Sequence, residues 1–328
     1  MLDRPRVFIT RRLPGDGPLA RLRAAAAADV WEHERPPTRD ELVARAQGCV
    51  GLLTMLTEQV DDELLDACPT VHIVANMAVG YDNVDVSAAT DRGVLVTNTP
   101  DVLTETTADM AFALLLAAAR RVTEGERAVR AGTWGPWRPD WLLGHDVHGA
   151  TLGIVGPGRI GRAVAKRAHG FGMRVLYAGR REIPEFPGER MEFNALLEQA
   201  DFVSLHVPLD AETEGMFNAD AFRRMKRTAI FVNTARGGVV DQAALRDALV
   251  RGEIAAAGID VTTPEPLPPD DPLLDAPNLL VTPHLGSATG QTRIRMADLA
   301  VDSLLAACAG EQPKHLVNPD ALRVWRRQ

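Results

Sequence analysis

Apolar and polar positions follow two different periods along the chain. Short apolar runs rich in valine, isoleucine and leucine are separated by stretches with helical spacing. This alternation is typical of a parallel α/β sheet, because each return to a parallel strand needs a crossover helix. A helix is predicted over Leu19–Ala28, and a capping box from Thr38 to Glu41 opens another. In this first part of the chain we predict strands at Arg6–Thr10, Val50–Thr54, Val71–Ala75 and Val94–Asn98.

The alternation of short strands and helices is interrupted in the middle of the chain. One long apolar helix is predicted over Thr104–Arg121, and an irregular loop with three tryptophans follows it. For Trp134, Trp137 and Trp141 we favour structural packing, in a core or an interface, over a lid on a binding site. Further strands are predicted at Arg174–Ala178, Asp201–Val207, Ala229–Asn233, Ala256–Asp260 and Leu279–Thr282, and a last helix at Gln291–Ala309.

Two strand series joined by a long helix, with a final helix after the second, imply that the chain leaves its first domain and later returns to it. We therefore expect an α/β protein of two Rossmann-like domains with parallel sheets. Residues 1–100 and 289–328 would form a discontinuous, flavodoxin-like substrate-binding or catalytic domain. Residues 101–288 would form a doubly wound dinucleotide-binding domain.

Composition and charge narrow the class of protein. The chain has 328 residues, of which 46% are hydrophobic, enough for two domains with separate cores. A net charge of −8 argues against a broad basic surface, so we expect no nucleic-acid or membrane partner. The three cysteines lie far apart without metal-ligand spacing, which predicts no metal site and fits the reducing cytoplasm. No signal peptide is visible, and the most apolar stretch is half the length of a membrane span.

A glycine-rich turn lies between a predicted strand and an amphipathic helix. Gly156, Gly158 and Gly161 stand in G-x-G-x-x-G register. The first glycine permits a tight turn, the second lets backbone approach a pyrophosphate, and the third lets helix and strand pack closely. The amides of Arg159 and Ile160 begin the helix and would point at the phosphates. This context predicts dinucleotide binding.

Two arginines, Arg180 and Arg181, stand about 20 residues after the turn, where a carboxylate usually bonds the ribose diol of NAD. The sequence has no carboxylate at this position until Glu182. Guanidinium bonds to a 2′-phosphate would favour NADPH over NADH by roughly a hundredfold. We therefore expect NADP(H) to be preferred, with NAD(H) possible as well. A solvated surface pair is the alternative.

Three polar residues follow predicted strands of the second series, at the sheet edge where α/β proteins bind ligands. Arg236, Glu265 and His284 supply a guanidinium, a carboxylate and an imidazole. The reduction of a 2-keto acid needs such groups: a fork for the substrate carboxylate, a proton donor, and a partner that keeps the donor protonated. In this hypothesis Arg236 binds the substrate, His284 donates the proton, and Glu265 raises the pKa of His284 and fixes its ring. Each of the three could instead serve only a loop or a turn.

Several stretches together resemble the D-isomer-specific 2-hydroxyacid dehydrogenase family, closest to its glyoxylate and hydroxypyruvate reductases. The likeness runs from about Ile73 to the C-terminal tail. Beside the glycine turn it is carried by "DFVSLHVPL", "NTARGGVVD", "GIDVTTPEPLP" and "TPHLGSAT". The match departs from the family at Pro157, where a leucine or a small residue is commoner.

The resemblance implies roles for further residues. The matching arginine, glutamate and histidine are catalytic in the family, which supports Arg236, Glu265 and His284. The loop "NMAVGYDNVD" resembles the one whose amides bind the substrate carboxylate, which implies Val79 and Gly80. Residues matched to the remaining substrate and coenzyme positions are Ser287 for the substrate, Asp260 for the nicotinamide carboxamide, and Pro208, Thr234 and Gly286 for other parts of the coenzyme.

The activity that the resemblance implies is NADPH-dependent reduction of glyoxylate and hydroxypyruvate to glycolate and D-glycerate. The family also leads us to expect a homodimer in the cytoplasm. Two alternatives stay open at this point. One is a phosphoglycerate dehydrogenase or another D-2-hydroxyacid dehydrogenase with the same catalytic residues. The other is a non-catalytic dinucleotide sensor similar to the transcriptional corepressors that resemble this family and keep both its fold and its three catalytic residues.

Overall fold

The computed structural model describes residues 4–325, which divide into two compact units. The first change of unit falls between Leu103 and Thr104, where a helix begins, and the second between Ala288 and Thr289. From the sequence we predicted these changes after residues 100 and 288. The chain therefore builds most of the first unit, then the whole second unit, and returns to the first.

The first unit contains a five-stranded parallel sheet with the order β2-β1-β3-β4-β5, the flavodoxin-like order. In register, Val7 of β1 lies opposite Ala28 of β2 and Gly51 of β3. The elements are β1 (Arg6–Ile9), α1 (Asp16–Ala25), β2 (Ala27–Val30), α2 (Arg39–Ala46), β3 (Gly51–Thr54), α3 (Asp62–Ala67), β4 (Ile73–Asn76), α4 (Val86–Asp91) and β5 (Leu95–Thr97).

The edge strand β2 corrects one prediction. The helix predicted over Leu19–Ala28 ends at Ala25, and the alanine-rich stretch after it is extended. Ala27 donates its backbone N–H to Pro5, and Trp31 donates to Ile9, at the two ends of the pairing with β1. Alanine prefers a helix by less than about 1 kcal/mol per residue, so the bonds to a neighbouring strand decide its conformation.

The capping box predicted at the start of α2 is confirmed. The Thr38 hydroxyl accepts from the backbone N–H of Glu41, and the Glu41 carboxylate accepts from the backbone N–H of Thr38 at 2.8 Å. Both donors at this helix terminus are thereby satisfied by side chains of the same turn. Such a cap is a local feature, which is why the sequence alone reveals it.

The second unit contains a seven-stranded parallel sheet with the order β12-β11-β10-β9-β6-β7-β8. The chain order reverses between β6 and β9, as in doubly wound dinucleotide-binding folds. The elements are α5 (Thr104–Ala119), α6 (Val122–Arg130), β6 (Thr151–Val155), α7 (Arg159–Gly170), β7 (Arg174–Ala178), β8 (Glu189–Arg190), α8 (Phe193–Gln199), β9 (Phe202–Leu205), α9 (Ala219–Arg224), β10 (Ile230–Asn233), α10 (Gln242–Val250), β11 (Ala256–Ile259) and β12 (Leu279–Val281).

The region between α5 and β6 differs from the sequence prediction. The helix predicted over Thr104–Arg121 ends at Ala119, because Arg121 takes a left-handed conformation with φ 50°, and a second helix, α6, follows. No residue of α6 is buried. Trp134 and Trp137 are 65% and 85% exposed, so they pack into no core of this chain.

The core of the second unit lies on both faces of its sheet. One face packs an aromatic cluster of Phe217, Phe222 and Phe231, and the other packs Phe112 of α5 and Val164 of α7. Burial on both faces explains why these strands are almost continuously apolar. No helix within residues 4–325 is long and apolar enough to cross a membrane.

The last helix, α11 (Gly290–Cys308), belongs to the first unit and packs on its sheet. A Cβ on Gly51 of β3 would lie 2.8 Å from the Leu304 side chain, so glycine allows this close packing. Arg21 of α1 bonds Asp298 at 2.8 Å and also Asp302 on the same face of α11. The return of the chain therefore completes the first unit.

Candidate active site

The glycine turn joins β6 to α7 at the point where the strand order reverses. Gly156 has φ +97°, and a Cβ there would lie 2.6 Å from the carbonyl group of His206. A Cβ on Gly161 would lie 2.4 Å from the carbonyl oxygen of Gly156. Both positions therefore require glycine for the turn and for helix packing.

Gly158, at the N-cap of α7, is different, because a Cβ there would meet nothing within 4 Å. The first intrahelical bond runs from Arg162 to Gly158, so the amides of Arg159, Ile160 and Gly161 precede the bonded part of the helix. Open space in front of a helix N-terminus suits a pyrophosphate. At the end of β10, the hydroxyl oxygen of Thr234 is buried without a hydrogen-bond partner in the described part of the chain. These features fit a dinucleotide.

The turn after β7 carries the two arginines. Gly179 is needed here because its Cβ would lie 2.6 Å from the Pro157 ring. Arg180 points its guanidinium at two carboxylates of the segment after β9, Asp210 at 2.7 Å and Glu212 at 2.8 Å. Arg181 is exposed and has no charged partner within residues 4–325. The two carboxylates were missed in the sequence, because they lie about 30 positions from the arginines.

Glu265 and His284 meet at the end of the sheet. The Nδ1 atom of His284, three residues after β12, lies 2.8 Å from the Glu265 carboxylate. An ionised carboxylate can only accept a hydrogen bond, so Nδ1 carries a proton. The other ring nitrogen, Nε2, is then the one that can exchange a proton with a ligand.

The Glu265 side chain is held at both oxygens. One oxygen faces His284, and the other accepts from the backbone N–H of Thr262 at 3.0 Å. Burial alone would raise the pKa of Glu265, but the hydrogen bond and charge of His284, the Thr262 amide and the charge of Arg236 outweigh it. The pKa of Glu265 therefore lies below its ordinary value, and the carboxylate stays ionised near neutral pH.

Arg236 begins the turn after β10, next to the Glu265 loop. A Cβ on Gly237 would lie 2.1 Å from the Thr262 carbonyl group, so this glycine lets the two loops touch. Asn233 folds the turn, since it donates to the Arg236 carbonyl and accepts from the amide of Ala235. The "RGG" sequence thus brings the Arg236 charge to Glu265, as the lowered pKa of that carboxyl also reflects.

Asp260, at the end of β11, holds the histidine loop. It is 1% exposed, and its carboxylate accepts from the Thr282 hydroxyl and from the amides of Leu285 and Gly286, at 2.5, 2.8 and 2.7 Å. His284 itself has φ +53° and donates its backbone N–H to the Asp260 carbonyl. The structure therefore gives Asp260 a positioning role that the sequence did not predict. Its contact with a nicotinamide carboxamide stays a prediction.

A second histidine was missed in the sequence analysis. His206 follows β9, and its Nε2 lies 2.9 Å from the hydroxyl oxygen of Ser204. The Nδ1 atom is buried and has no partner within residues 4–325. Burial lowers the pKa of His206 to about 3, so its ring is neutral at physiological pH. The quoted stretch "DFVSLHVPL" contains it, but the sequence does not show that its ring lies beside the Ser204 hydroxyl.

In the first unit, the loop after β4 presents two amides. The carbonyl of Val79 accepts from the Asn98 side chain at 2.8 Å, and that of Gly80 accepts from the buried Asn76 side chain at 3.0 Å. Within residues 4–325 the backbone N–H groups of Val79 and Gly80 have no acceptor. With the carbonyls fixed and the amides unbonded, the loop is suited to an anion such as a carboxylate.

The remaining predicted residues lie in the second unit. Pro208 is exposed two residues after His206, and its carbonyl accepts from the Thr213 hydroxyl at 2.6 Å. Gly286 is buried, where a Cβ would lie 3.3 Å from the Asp260 carboxylate. Ser287 is half-buried next to it. The absence of a side chain at Gly286 therefore lets the histidine loop pack closely against Asp260.

A doubly wound unit with this glycine turn, and a carboxylate–imidazole pair at the same sheet edge, define a dinucleotide-dependent oxidoreductase. The profile described as "D-isomer specific 2-hydroxyacid dehydrogenase, NAD binding domain" matches residues 112–286. The chain belongs to the D-isomer-specific 2-hydroxyacid dehydrogenase family and is an NAD(P)-dependent dehydrogenase.

Relatives match nearly the whole chain. It is 53% identical to a glyoxylate reductase of Korarchaeum cryptofilum, over 98% of each chain. A solved structure from Thermus thermophilus is 49% identical with a TM-score of 0.90, covering 95% of this chain and 99% of that one. An NADPH-dependent glyoxylate/hydroxypyruvate reductase of Sinorhizobium meliloti, solved with NADP and malonate, is 35% identical with a TM-score of 0.86 over 99% of each chain.

Proposed function

We propose that the protein reduces glyoxylate and hydroxypyruvate to glycolate and D-glycerate with NADPH. The observation that carries this proposal is the 2.8 Å contact between Nδ1 of His284 and the Glu265 carboxylate, beside Arg236. The names of the relatives, glyoxylate reductase and glyoxylate/hydroxypyruvate reductase, support the substrate class.

The substrate is an anion with a reactive carbonyl group. In this proposal the unbonded amides of Val79 and Gly80 bind its carboxylate. Arg236 also binds the carboxylate and polarises the carbonyl, because a guanidinium can donate two parallel bonds. The hydroxyl of Ser287 contributes a further polar contact. A 2-keto acid carries a carboxylate and a carbonyl oxygen, the kinds of acceptor that these donors require.

His284 supplies the proton in the proposed reaction. Its Nδ1 hydrogen faces Glu265, so Nε2 is directed to transfer a proton to the carbonyl oxygen. Negative charge develops on that oxygen during reduction, and the imidazolium and Arg236 both stabilise it. Glu265 fixes the ring and balances the charge of the protonated imidazole.

The dinucleotide would be held by the glycine turn, the α7 N-terminus and the arginines after β7. The amides of Arg159 and Ile160 would bond the pyrophosphate, and Gly158 leaves the space for it. Arg180 and Arg181 would bond a 2′-phosphate. The other contacts that we propose come from Pro208, Thr234, Asp260 and Gly286. When bound, the reduced nicotinamide supplies a hydride to the carbonyl carbon.

Purified protein with glyoxylate and NADPH tests the activity. We expect the absorbance of the reduced coenzyme to fall at a rate proportional to enzyme concentration. Hydroxypyruvate and larger 2-keto acids with NADPH and NADH rank the substrates in the same assay. Coenzyme binding without turnover on any of these acids would contradict the proposal and favour a dinucleotide sensor.

The coenzyme preference has its own test. We expect Arg180→Ala to raise the KM for NADPH by about tenfold, since one charge-assisted bond is lost, and to leave the KM for NADH nearly unchanged. Arg174→Ala serves as the control, because Arg174 is an exposed arginine paired with Glu189 away from the turn. If Arg180→Ala left the KM for NADPH and the KM for NADH both unchanged from wild type, Arg180 would not select NADPH.

We also propose a homodimer that works in the cytoplasm. Exposed apolar side chains cluster on α6 and the tryptophan loop, at Val122, Val129, Trp134, Trp137 and Leu143. A second copy of this chain would remove them from water. Light scattering should report a dimer for the wild type and a monomer for Val129→Asp combined with Trp137→Asp. The free cysteines Cys49, Cys68 and Cys308 fit a reducing compartment.

A further inference from the structure

The turn after β7 contains more than the two arginines. Arg180, Asp210 and Glu212 form a charge group that we call the Arg180 cluster. The Nη2 atom of Arg180 lies 2.7 Å from the Asp210 carboxylate, and Nε lies 2.8 Å from the Glu212 carboxylate. Charged side chains that follow two different strands, β7 and β9, are therefore in contact.

The two carboxylates occupy one edge of the guanidinium. Nε and Nη2 share one of the two edges of a guanidinium that can make two parallel bonds to a phosphate or a carboxylate. In the Arg180 cluster each of these nitrogens already has an acceptor, one from Asp210 and one from Glu212. A 2′-phosphate must therefore use the Nη1 side of the guanidinium or displace a carboxylate.

The carboxylates are part of a structured turn. The second oxygen of Asp210 accepts from the amides of Glu212 and Thr213, at 3.0 and 3.1 Å. The Thr213 hydroxyl bonds the Pro208 carbonyl at 2.6 Å. Asp210 is therefore positioned by its own turn whether or not Arg180 is present. The pKa of Asp210 is lowered, first by its bond from Arg180, so the carboxylate is charged near neutral pH.

Net charge at the cluster opposes an additional anion. Arg180 contributes one positive charge, whereas Asp210 and Glu212 contribute two negative charges. A phosphate monoester adds a charge of about −1.5 to −2 within a few ångströms of them. Salt screens this repulsion only partly over such distances. A ribose 2′-hydroxyl would not meet that repulsion and could donate to either carboxylate.

We propose that Asp210 and Glu212 are specificity-determining residues that counteract Arg180 and Arg181 at the coenzyme 2′ position. The proposal rests on the proposed placement of the coenzyme at this turn. Selectivity for NADP(H) is then the balance of two arginines against two carboxylates, which keeps NAD(H) usable. Removal of the carboxylates frees the bonding edge of Arg180 and removes the repulsion.

Binding of coenzyme fragments tests the proposal without turnover. Adenosine 2′,5′-bisphosphate and AMP differ only by the 2′-phosphate, and calorimetry gives the Kd of each. We expect Asp210→Asn with Glu212→Gln to bind the bisphosphate about tenfold more tightly and AMP within about twofold of wild type. Each single variant should lie between, because each removes one charge.

The matched control is Glu214→Gln, an exposed glutamate in the same segment with no charged partner among the described residues. It changes the net charge as each single variant does and should leave both Kd values within about twofold. Thermal unfolding of every variant checks that the fold is intact. Asp210→Asn keeps an oxygen to accept from the turn amides, so we expect no loss of folding.

The outcomes separate this proposal from the coenzyme preference. Weaker bisphosphate binding in Arg180→Ala, with no change in the double carboxylate variant, would overturn the role of Asp210 and Glu212 but leave the arginines as the phosphate site. Weaker binding in the double variant would also overturn it, since the carboxylates would then organise Arg180 for the phosphate. If Arg180→Ala left bisphosphate binding unchanged, both proposals would be wrong.

Discussion

Two histidines follow strands of the same sheet and have opposite surroundings. His284 comes after β12 and faces the Glu265 carboxylate, with 29% of its side chain exposed. His206 comes after β9 and bonds the Ser204 hydroxyl, with its second nitrogen buried and unpartnered in the described chain. One imidazole therefore has a carboxylate counterion, and the other has a neutral hydroxyl partner and a buried, unpartnered nitrogen among the described residues.

The comparison shows that a histidine at a strand end is not by itself a proton donor. A carboxylate partner stabilises the protonated ring, whereas burial next to a hydroxyl disfavours it. The loops also differ, because Asp260 anchors the His284 loop through three bonds, while His206 is tied by its backbone N–H to Val155. Four variants test this contrast.

The largest effect is expected at the ring that faces the carboxylate. His284→Gln should lower kcat for glyoxylate reduction by about 10²- to 10⁴-fold, because the general acid is lost. NADPH affinity, measured by fluorescence titration, should stay within about twofold if the ring acts on the substrate rather than the coenzyme. His206→Gln is the matched control and should retain most of the turnover. Equal losses in both variants would remove the distinction between the histidines.

Glu265→Gln should lower kcat by about 10- to 100-fold, the value of a hydrogen bond to a charged partner. The pKa of Glu265 is lowered, so wild type keeps this negative charge throughout the neutral range. Without it the positive charge on the imidazole has no counterion, and a neutral amide cannot replace the carboxylate in that role. Equal kcat values in wild type and Glu265→Gln would mean that Glu265 only fixes the ring.

Asp260→Asn tests the loop that carries His284. The side chain of asparagine has one acceptor oxygen, and an NH2 donor replaces the other oxygen of Asp260. At least one of the donors Thr282, Leu285 and Gly286 therefore loses its acceptor. We expect a loss of about 1–3 kcal/mol in the free energy of unfolding, measured with urea. Asp270→Asn, at an exposed loop position, is the control. An unchanged stability would argue against the anchoring role.

The smallest effect concerns the pH dependence of stability. The folded protein keeps His206 neutral down to about pH 3, whereas its ordinary pKa is 6.5. Unfolding therefore takes up a proton between these values, and stability falls as the pH falls, by up to about 1.4 kcal/mol per pH unit. His206→Gln should be less sensitive to acid than wild type in urea unfolding at pH values from about 5 to 7. Parallel curves would show that the ring takes up a proton as readily in the folded protein as in the unfolded chain.

Local features could be predicted from the sequence. The strands, the glycine turn, the capping box at Thr38 and the residue types at the strand ends follow from spacing within a few residues. The three glycines fulfil the steric requirements expected at Gly156 and Gly161, and leave the expected space at Gly158. Gly161 meets atoms of its own turn and Gly156 has a positive φ, which are local features, although a Cβ on Gly156 would also meet the carbonyl group of the distant His206.

Features that depend on distant partners needed the tertiary structure. The strand β2 formed where alanines favour a helix, because β1 offers hydrogen bonds to it. Asp210 and Glu212 contact Arg180 because the segments after β7 and β9 lie at the same edge of the sheet, although they are about 30 residues apart in sequence. The sequence by itself determined which chemical groups end the strands. Only the folded chain decided which of them meet, since the charge and hydrogen bonding of a side chain depend on its neighbours in space.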